Sequence, residues 1–269
     1  RGDMKPQEFS SKVSEALRGE PGTSFVLKVL RPLKNDSTVM EFKITRKNIR
    51  TNPVPYYGMV KDSIGYLALS SFTENSAKDF KKAFIELKQK GAKSLIIDLR
   101  DNGGGSLSEA VDIVNLYVPK GQEIVVTKGK VRQAQGSYKT QNEPVDTQIP
   151  LAVLVNGATA SASEIVSGSL QDLDRAVVIG SRTFGKGLVQ TIRPLPYNGT
   201  LKVTTSKYYI PSGRCIQAID YAKKNADGSV ARTPDSLTTV FHTAAGREVR
   251  DGGGIRPDIE VKGDKIPNI

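Results

Sequence analysis

Three short apolar runs constrain this 269-residue chain more than any other feature: "SLIIDL" at 94–99, "PLAVLV" at 150–155 and "RAVVIG" at 175–180. Each is too short for a helix and too continuously apolar for a strand with one wet face. Each reads as a strand buried on both sides. Helical patterns separate them, at 75–90 (Phe80, Ala83, Phe84 and Leu87 in register, closed by Gly91), at 107–118, and in "SASEIVSGSLQDL". Strands alternating with helices predict an α/β core with parallel pairing, because a parallel neighbour needs a crossover connection.

Around this core the pattern changes. Residues 6–18 set Phe9, Val13, Ala16 and Leu17 on one helical face, with Pro6 to open the helix and Gly19 to end it. Two alternating runs follow, "SFVLKVLRP" and "VMEFKITR", joined by the polar turn "LKNDS". One helix and two strands are too few for an independent core, so residues 1–47 read as part of a larger module. "NIRTNPVPYYG" carries two prolines and reads as a linker over 48–58, and a longer body fills 59–269, opening with "IGYLALSSF". The polar stretch 119–149 holds at best a hairpin and suits a lid or insertion. The tail is β-rich, with "TLKVTTSKYYIPSG" and "IRPDIEV" strand-like.

Scarce residues exclude whole classes of chemistry. His242 and Cys215 are the only histidine and cysteine, so a zinc site of Cys and His ligands and an internal disulfide are both ruled out. A histidine-based triad would have to use His242, which lies in the β-rich tail and reads as a surface or packing residue. Cys215 reads as a small buried side chain. The net charge of +11 raises nucleic acid as a partner. Aromatics are only 6%, however, and no run interleaves them with clustered Lys and Arg, so no nucleic-acid site is expected. No stretch of 18 apolar residues is present, so no integral membrane segment is expected. No signal peptide is visible, and the opening Arg1-Gly2-Asp3 is compatible with an export signal removed upstream.

Two strand-to-helix junctions, 101–106 and 156–163, lie at carboxyl ends of the apolar strands, where parallel sheets gather ligands. Gly103-Gly104-Gly105 can turn backbone N–H groups outward to hold a phosphate or an oxyanion. The spacing matches neither glycine-rich phosphate motif, and a plain tight turn is the competing reading. "TASASE" puts Ser161 at the mouth of a helix with the Ala162 N–H behind it. A helix cap built from Thr159, Ser161 or Ser163 with Glu164 is the competing reading. "TFGKG" then places Lys186 between two glycines, an odd position for a solubilising lysine. A desolvated lysine loses its proton more readily and can accept one from a serine hydroxyl. Gln190, four residues on, would share a strand face with it and steady the amine.

The motifs "LIIDLRDNGGG", "VLVNGATASASEIVSGSLQDLDRAVVIGSRTFGKGLVQ", "YYIPSGRCIQ" and "GGGIRPDIEV" occur in an order that resembles the C-terminal processing (tail-specific) serine peptidases, from about residue 60 onward. That resemblance implies a crotonase-like α/β spiral core (the ClpP/crotonase architecture) with a β-rich C-terminal part. It implies Ser161 as nucleophile, Lys186 as general base, 25 residues further on, and Gln190 as its support. Oxyanion donors would be the N–H groups of Ala162 and of Gly104 or Gly105, with a structural or secondary role for Glu164. Cys215 departs from the family pattern, which has serine more often at that point. The N-terminal segment resembles the second half of a PDZ domain, without the half that holds the carboxylate-binding loop.

The expected function is therefore a serine endopeptidase cutting unfolded or extended protein chains near their C-termini, without metal or cofactor. The resemblance also implies a bacterial periplasmic or cell-envelope location; a homo-oligomer is a further expectation, with the oligomeric state itself unread from the sequence. A non-catalytic binding module on the same core, an autoinhibited peptidase, and a thioester-handling crotonase relative remain as alternatives. The intact Ser161, Lys186 and Gln190 set argues against the first and last.

Overall fold

The computed structural model describes residues 5–32, 36–49, 51–224, 227 and 230–261. The chain divides into two compact units, 1–52 and 53–269. The first unit holds helix α1 (Pro6–Leu17) and the antiparallel strands β1 (Ser24–Pro32) and β2 (Ser37–Thr45). Positions 33–35 of the expected turn lie outside the described residues. No described residue of this unit is buried, consistent with too little chain for a core of its own.

The second unit begins inside the segment read as a linker, since β3 (Tyr56–Lys61) already pairs antiparallel with β4 (Ile64–Ala68). Val54 is buried in the same core. Beyond β4 the chain runs through α2 (Ser76–Gln89), β5 (Ser94–Asp98), α3 (Leu107–Asn115), β6 (Glu123–Gly129), β7 (Gly136–Lys139), β8 (Leu151–Val155), α4 (Ala162–Asp172) and β9 (Val177–Gly180). Then come β10 (Leu188–Pro194), β11 (Thr200–Tyr209), β12 (Ile219–Lys224), β13 (Val230–Arg232), β14 (Val240–His242), β15 (Glu248–Arg250) and β16 (Ile259–Glu260).

The main sheet has the order β16-β9-β8-β5-β4-β3. The pairs β4–β5, β5–β8, β8–β9 and β9–β16 are parallel, as the apolar runs predict. The tail strand β16 thus closes one edge of the sheet. Leu95 and Ile97 of β5 and Val153 and Val155 of β8 are at most 1% exposed and pack with Phe80, Phe84 and Leu87 of α2. A second sheet, β10-β11-β6-β7, is antiparallel throughout, so the polar stretch 119–149 supplies two strands of it. Its edge strand β10 continues the loop that carries Lys186. No helix among the described residues is long and apolar enough to cross a membrane.

α4, the helix behind Ser161, is buried along its whole length. Its last residue, Asp172, is paired with Arg214 at 2.7 Å, and both side chains are at most 1% exposed. A buried pair of this kind is costly to leave half-made. It ties the chain after β11 to the end of α4, and Gln171 adds a second contact to Arg214 at 2.9 Å.

Candidate active site

Both strand-to-helix junctions lie at the carboxyl ends of neighbouring parallel strands, β5 and β8, and the fold presses them together. Asn102 is fully buried and performs the joining. Its amide donates to Leu69 O (2.7 Å), and its own carbonyl accepts from the Ala160 N–H (3.0 Å) and the Ser163 hydroxyl (2.9 Å). Thr159 donates its hydroxyl to Leu99 O at 2.8 Å. The hydroxyls of Thr159 and Ser163 are thus spent binding the two loops together, and Ser161 is the helix N-cap. Just upstream, burial pushes the Asp98 carboxyl up, but hydrogen bonds from Arg100 and Tyr66 outweigh it and hold Asp98 below the ordinary range.

Ser161 has φ 59° and ψ −116°, a backbone conformation L-residues rarely adopt. Strain of about 1–3 kcal/mol persists at such a residue only where its surroundings impose it. Glu164 is the main restraint. It is fully buried, and it pairs with hydrogen-bond donors rather than a cation. One oxygen accepts from the N–H groups of Ser161 (2.8 Å) and Lys186 (2.9 Å). The other accepts from the Thr183 hydroxyl (2.5 Å) and the Gly185 N–H (2.7 Å). A single carboxylate thus holds the backbones of both candidate catalytic residues. Burial raises the Glu164 pKa, and these four hydrogen bonds oppose the rise. Tyr208, 2% exposed, clamps from the other side: its hydroxyl contacts Ser161 O at 3.2 Å and also Lys186 O.

The glycine loop lies against this turn. At Gly104 (φ +95°) a Cβ would stand 2.6 Å from Ala160 O and 2.8 Å from Ala162 N, so only glycine fits. At Gly105 (φ +148°) it would stand 2.3 Å from Phe72 O. The Gly104 N–H donates to the Asn102 side-chain oxygen at 2.9 Å. That corrects one of the two glycine expectations, because the Gly104 donor is already engaged. The amides of Gly105 and Ala162 have no hydrogen-bond partner among the described residues, and both residues line one cleft of about 520 Å³. Ser161, Lys186, Gln190, Leu188 and Tyr208 line it too.

Sequence reasoning therefore names residues that share one cleft, but its geometric argument for Gln190 does not hold. β10 starts only at Leu188, and its register shifts between Val189 and Gln190. A bulge breaks strict alternation, so four-residue spacing does not by itself place Gln190 beside Lys186. Lys186 is half-buried, and no hydrogen bond links its amine to Ser161 or Gln190 among the described residues. His242 is exposed on β14 and Cys215 is half-buried, and neither lines this cleft. Asn102, Thr183 and Tyr208 were missed. Only Asn102 left a trace, as an Asn ahead of a glycine run.

Such an arrangement can perform acyl transfer: a hydroxyl on a strained turn, an amine in the same cleft, and two amide donors beside them. The sequence profile of peptidase family S41 matches residues 63–224, and the chain belongs to that family. It is 40% identical over 209 residues to the carboxy-terminal-processing protease of Bartonella bacilliformis, an alignment covering 76% of this chain and 47% of that protein. It is 32% identical over 239 residues to the chloroplastic C-terminal processing peptidase of Tetradesmus obliquus, covering 84% and 50%. In structure it is similar to the photosystem II D1 C-terminal processing protease, with a TM-score of 0.59 and 27% identity over 93% of this chain and 58% of that one. The chain spans about half the length of the curated relatives it matches.

Proposed function

We propose that this chain is a serine endopeptidase in which Ser161 is the nucleophile and Lys186 the general base. The observation that carries the reading is the cleft that brings together strained Ser161, Lys186 and the two unpartnered amides of Gly105 and Ala162. The Lys186 amine takes the Ser161 hydroxyl proton as Oγ bonds to the scissile carbonyl carbon. The carbonyl oxygen becomes an oxyanion held by the Gly105 and Ala162 N–H groups, each donor worth about 10²–10³ in rate. Lys186 then protonates the leaving amine as the C–N bond breaks. Water then gives a proton to Lys186 as its oxygen bonds to the acyl carbon, and Lys186 returns that proton to Ser161 Oγ as the ester bond breaks and the acid product leaves. Gln190 lines the same cleft and is assigned to steady the amine, and the scheme requires no cofactor.

Substrate binds as an extended strand along β10, the free edge of the second sheet, where backbone hydrogen bonds tolerate varied side chains. The names of the relatives, carboxy-terminal-processing protease and C-terminal processing peptidase, support C-terminal segments as substrates. Unfolded or extended chains as the form cut, and a bacterial periplasmic or envelope location, are parts of the same proposal. Residues 1–47, a helix and a hairpin, are read as the second half of a PDZ domain, and self-association of the chain is part of the same reading. A resting form awaiting substrate is a second reading, favoured by the lack of a hydrogen bond from Lys186 to Ser161 or Gln190 among the described residues. A fluorophosphonate probe tests both. Labelling mapped to Ser161 and lost in Lys186→Ala supports an assembled site, labelling that appears only with added peptide supports the resting form, and labelling elsewhere refutes the assignment.

A further inference from the structure

The net charge of +11 is unevenly placed. Stretches 123–139 and 186–209, which contain the whole second sheet, carry eight Lys or Arg residues and one acid, Glu123. Glu123 is engaged by the Ser137 hydroxyl at 2.5 Å. In that sheet Leu188 is opposite Lys207, and Lys207 is opposite Lys128. Directly opposed residues share a face, so these three form one row across β10, β11 and β6.

Like charges opposed on adjacent strands destabilise a sheet. Neither lysine forms an ion pair among the described residues, and both are exposed. The Lys128 amine lies 4.5 Å from the centre of the Tyr209 ring, which attracts it without neutralising it. Lys130 joins the pair, and the three lysines with Leu188 line a second cleft of about 580 Å³. A bound anion would turn this repulsion into binding energy.

The position of the row selects the anion. Leu188 lines both this cleft and the one holding Ser161 and Lys186. A peptide added along β10 alternates its side chains between the two faces, and the residue beside Leu188 points toward the lysines. Two strand spacings, about 10 Å, separate that residue from Lys207, a span that extended lysine and glutamate side chains bridge together. We propose that Lys128, Lys130 and Lys207 form a subsite for a carboxylate of the bound peptide, supplied by an Asp or Glu side chain or by the chain terminus. The subsite rests on the β10 peptide-binding reading above and gives that reading a charge preference.

The test measures anisotropy of fluorescein-labelled peptides on the Ser161→Ala chain. The peptides share one unstructured sequence with Glu, Gln or Lys at successive single positions, each made as free acid and as amide. Glu at one position, or the free acid, is expected to bind about three- to tenfold tighter than its neutral counterpart, with the gap closing at high salt. Lys128→Gln with Lys207→Gln should abolish the gap, and Lys128→Glu with Lys207→Glu should favour the Lys peptide. A gap that follows Glu identifies a side-chain carboxylate, and one that follows amidation identifies the terminus. Equal binding of all peptides, or a gap that survives the double substitution, overturns the proposal. Lys128→Glu alone should raise Tm, because it gives Lys207 an acid partner, and this also checks folding. Charge-selective binding without turnover by the Ser161 chain would sink the peptidase reading and leave the subsite. Turnover without charge preference would do the reverse.

Discussion

Glu164→Gln is the most informative single substitution, because it keeps the shape of the side chain and removes one acceptor and the charge. The carboxylate accepts two hydrogen bonds on each oxygen, at 2.5 and 2.7 Å on one and 2.8 and 2.9 Å on the other. An amide retains one oxygen, so its NH2 must face two donors. If it takes the side of Thr183, the Gly185 N–H is left buried and unpaired. If it takes the other side, Ser161 and Lys186 both lose their partner. A buried donor left unpaired costs about 1–3 kcal/mol, and the surviving bonds lose charge assistance worth about 1 kcal/mol each. Relief of the buried charge, which outweighs these bonds in raising the Glu164 pKa, offsets the lost charge assistance and leaves the unpaired donor's cost of about 1–3 kcal/mol. In a chain of this size that lowers Tm by about 2–12 °C. The second placement also releases the Ser161 backbone strain, about 1–3 kcal/mol, and about ten- to a hundredfold in kcat follows. Thermal denaturation and steady-state kinetics on a quenched peptide provide the assay. Wild-type kcat with wild-type Tm, or a loss confined to KM, would refute the view that Glu164 holds the catalytic backbone in place.

Burial raises the Glu164 pKa, so the folded chain holds this proton where the unfolded chain has released it. The stability this group confers is complete below the ordinary glutamate range and lost as pH rises through the folded value. Activity runs oppositely and falls on acidification, and urea midpoints and kcat measured between about pH 4 and 7 check both slopes against Glu164→Gln. Gly104→Ala forces a Cβ to within 2.6–2.8 Å of the Ala160–Ala162 backbone at φ +95°, and at least a hundredfold loss of kcat/KM is expected. Tyr208→Phe leaves Ser161 O and Lys186 O without the hydroxyl and should lower kcat about tenfold with little change in KM. Asp172→Ala strands buried Arg214, and chemical denaturation should show about 3–5 kcal/mol lost.

The parallel core was legible because residues buried on both faces leave continuous apolar runs, and "SLIIDL" and "PLAVLV" become neighbouring strands. The candidate site was legible where the local pattern is unusual: glycines at 104 and 105, a serine before a helix, a lysine between glycines. Tyr208 left no such trace, since a tyrosine in an alternating strand looks the same whether it packs or clamps. The engagement of Gly104 by Asn102 depends on an Asx turn whose partners are set only when two loops meet. The bulge after Val189 likewise depends on pairing with β11, which no local pattern in "KGLVQ" reveals. The lysine row leaves no local pattern, because Lys128 and Lys207 are 79 residues apart and meet only through strand register.

Ser161 and Lys186 are proposed to cut peptide bonds together. The direct measurement incubates an unfolded protein with this chain, with Ser161→Ala and with Lys186→Ala, and follows the fragments by mass spectrometry. The unaltered chain should yield fragments, and neither variant should yield any above background. Cleavage undiminished in both variants would contradict this assignment.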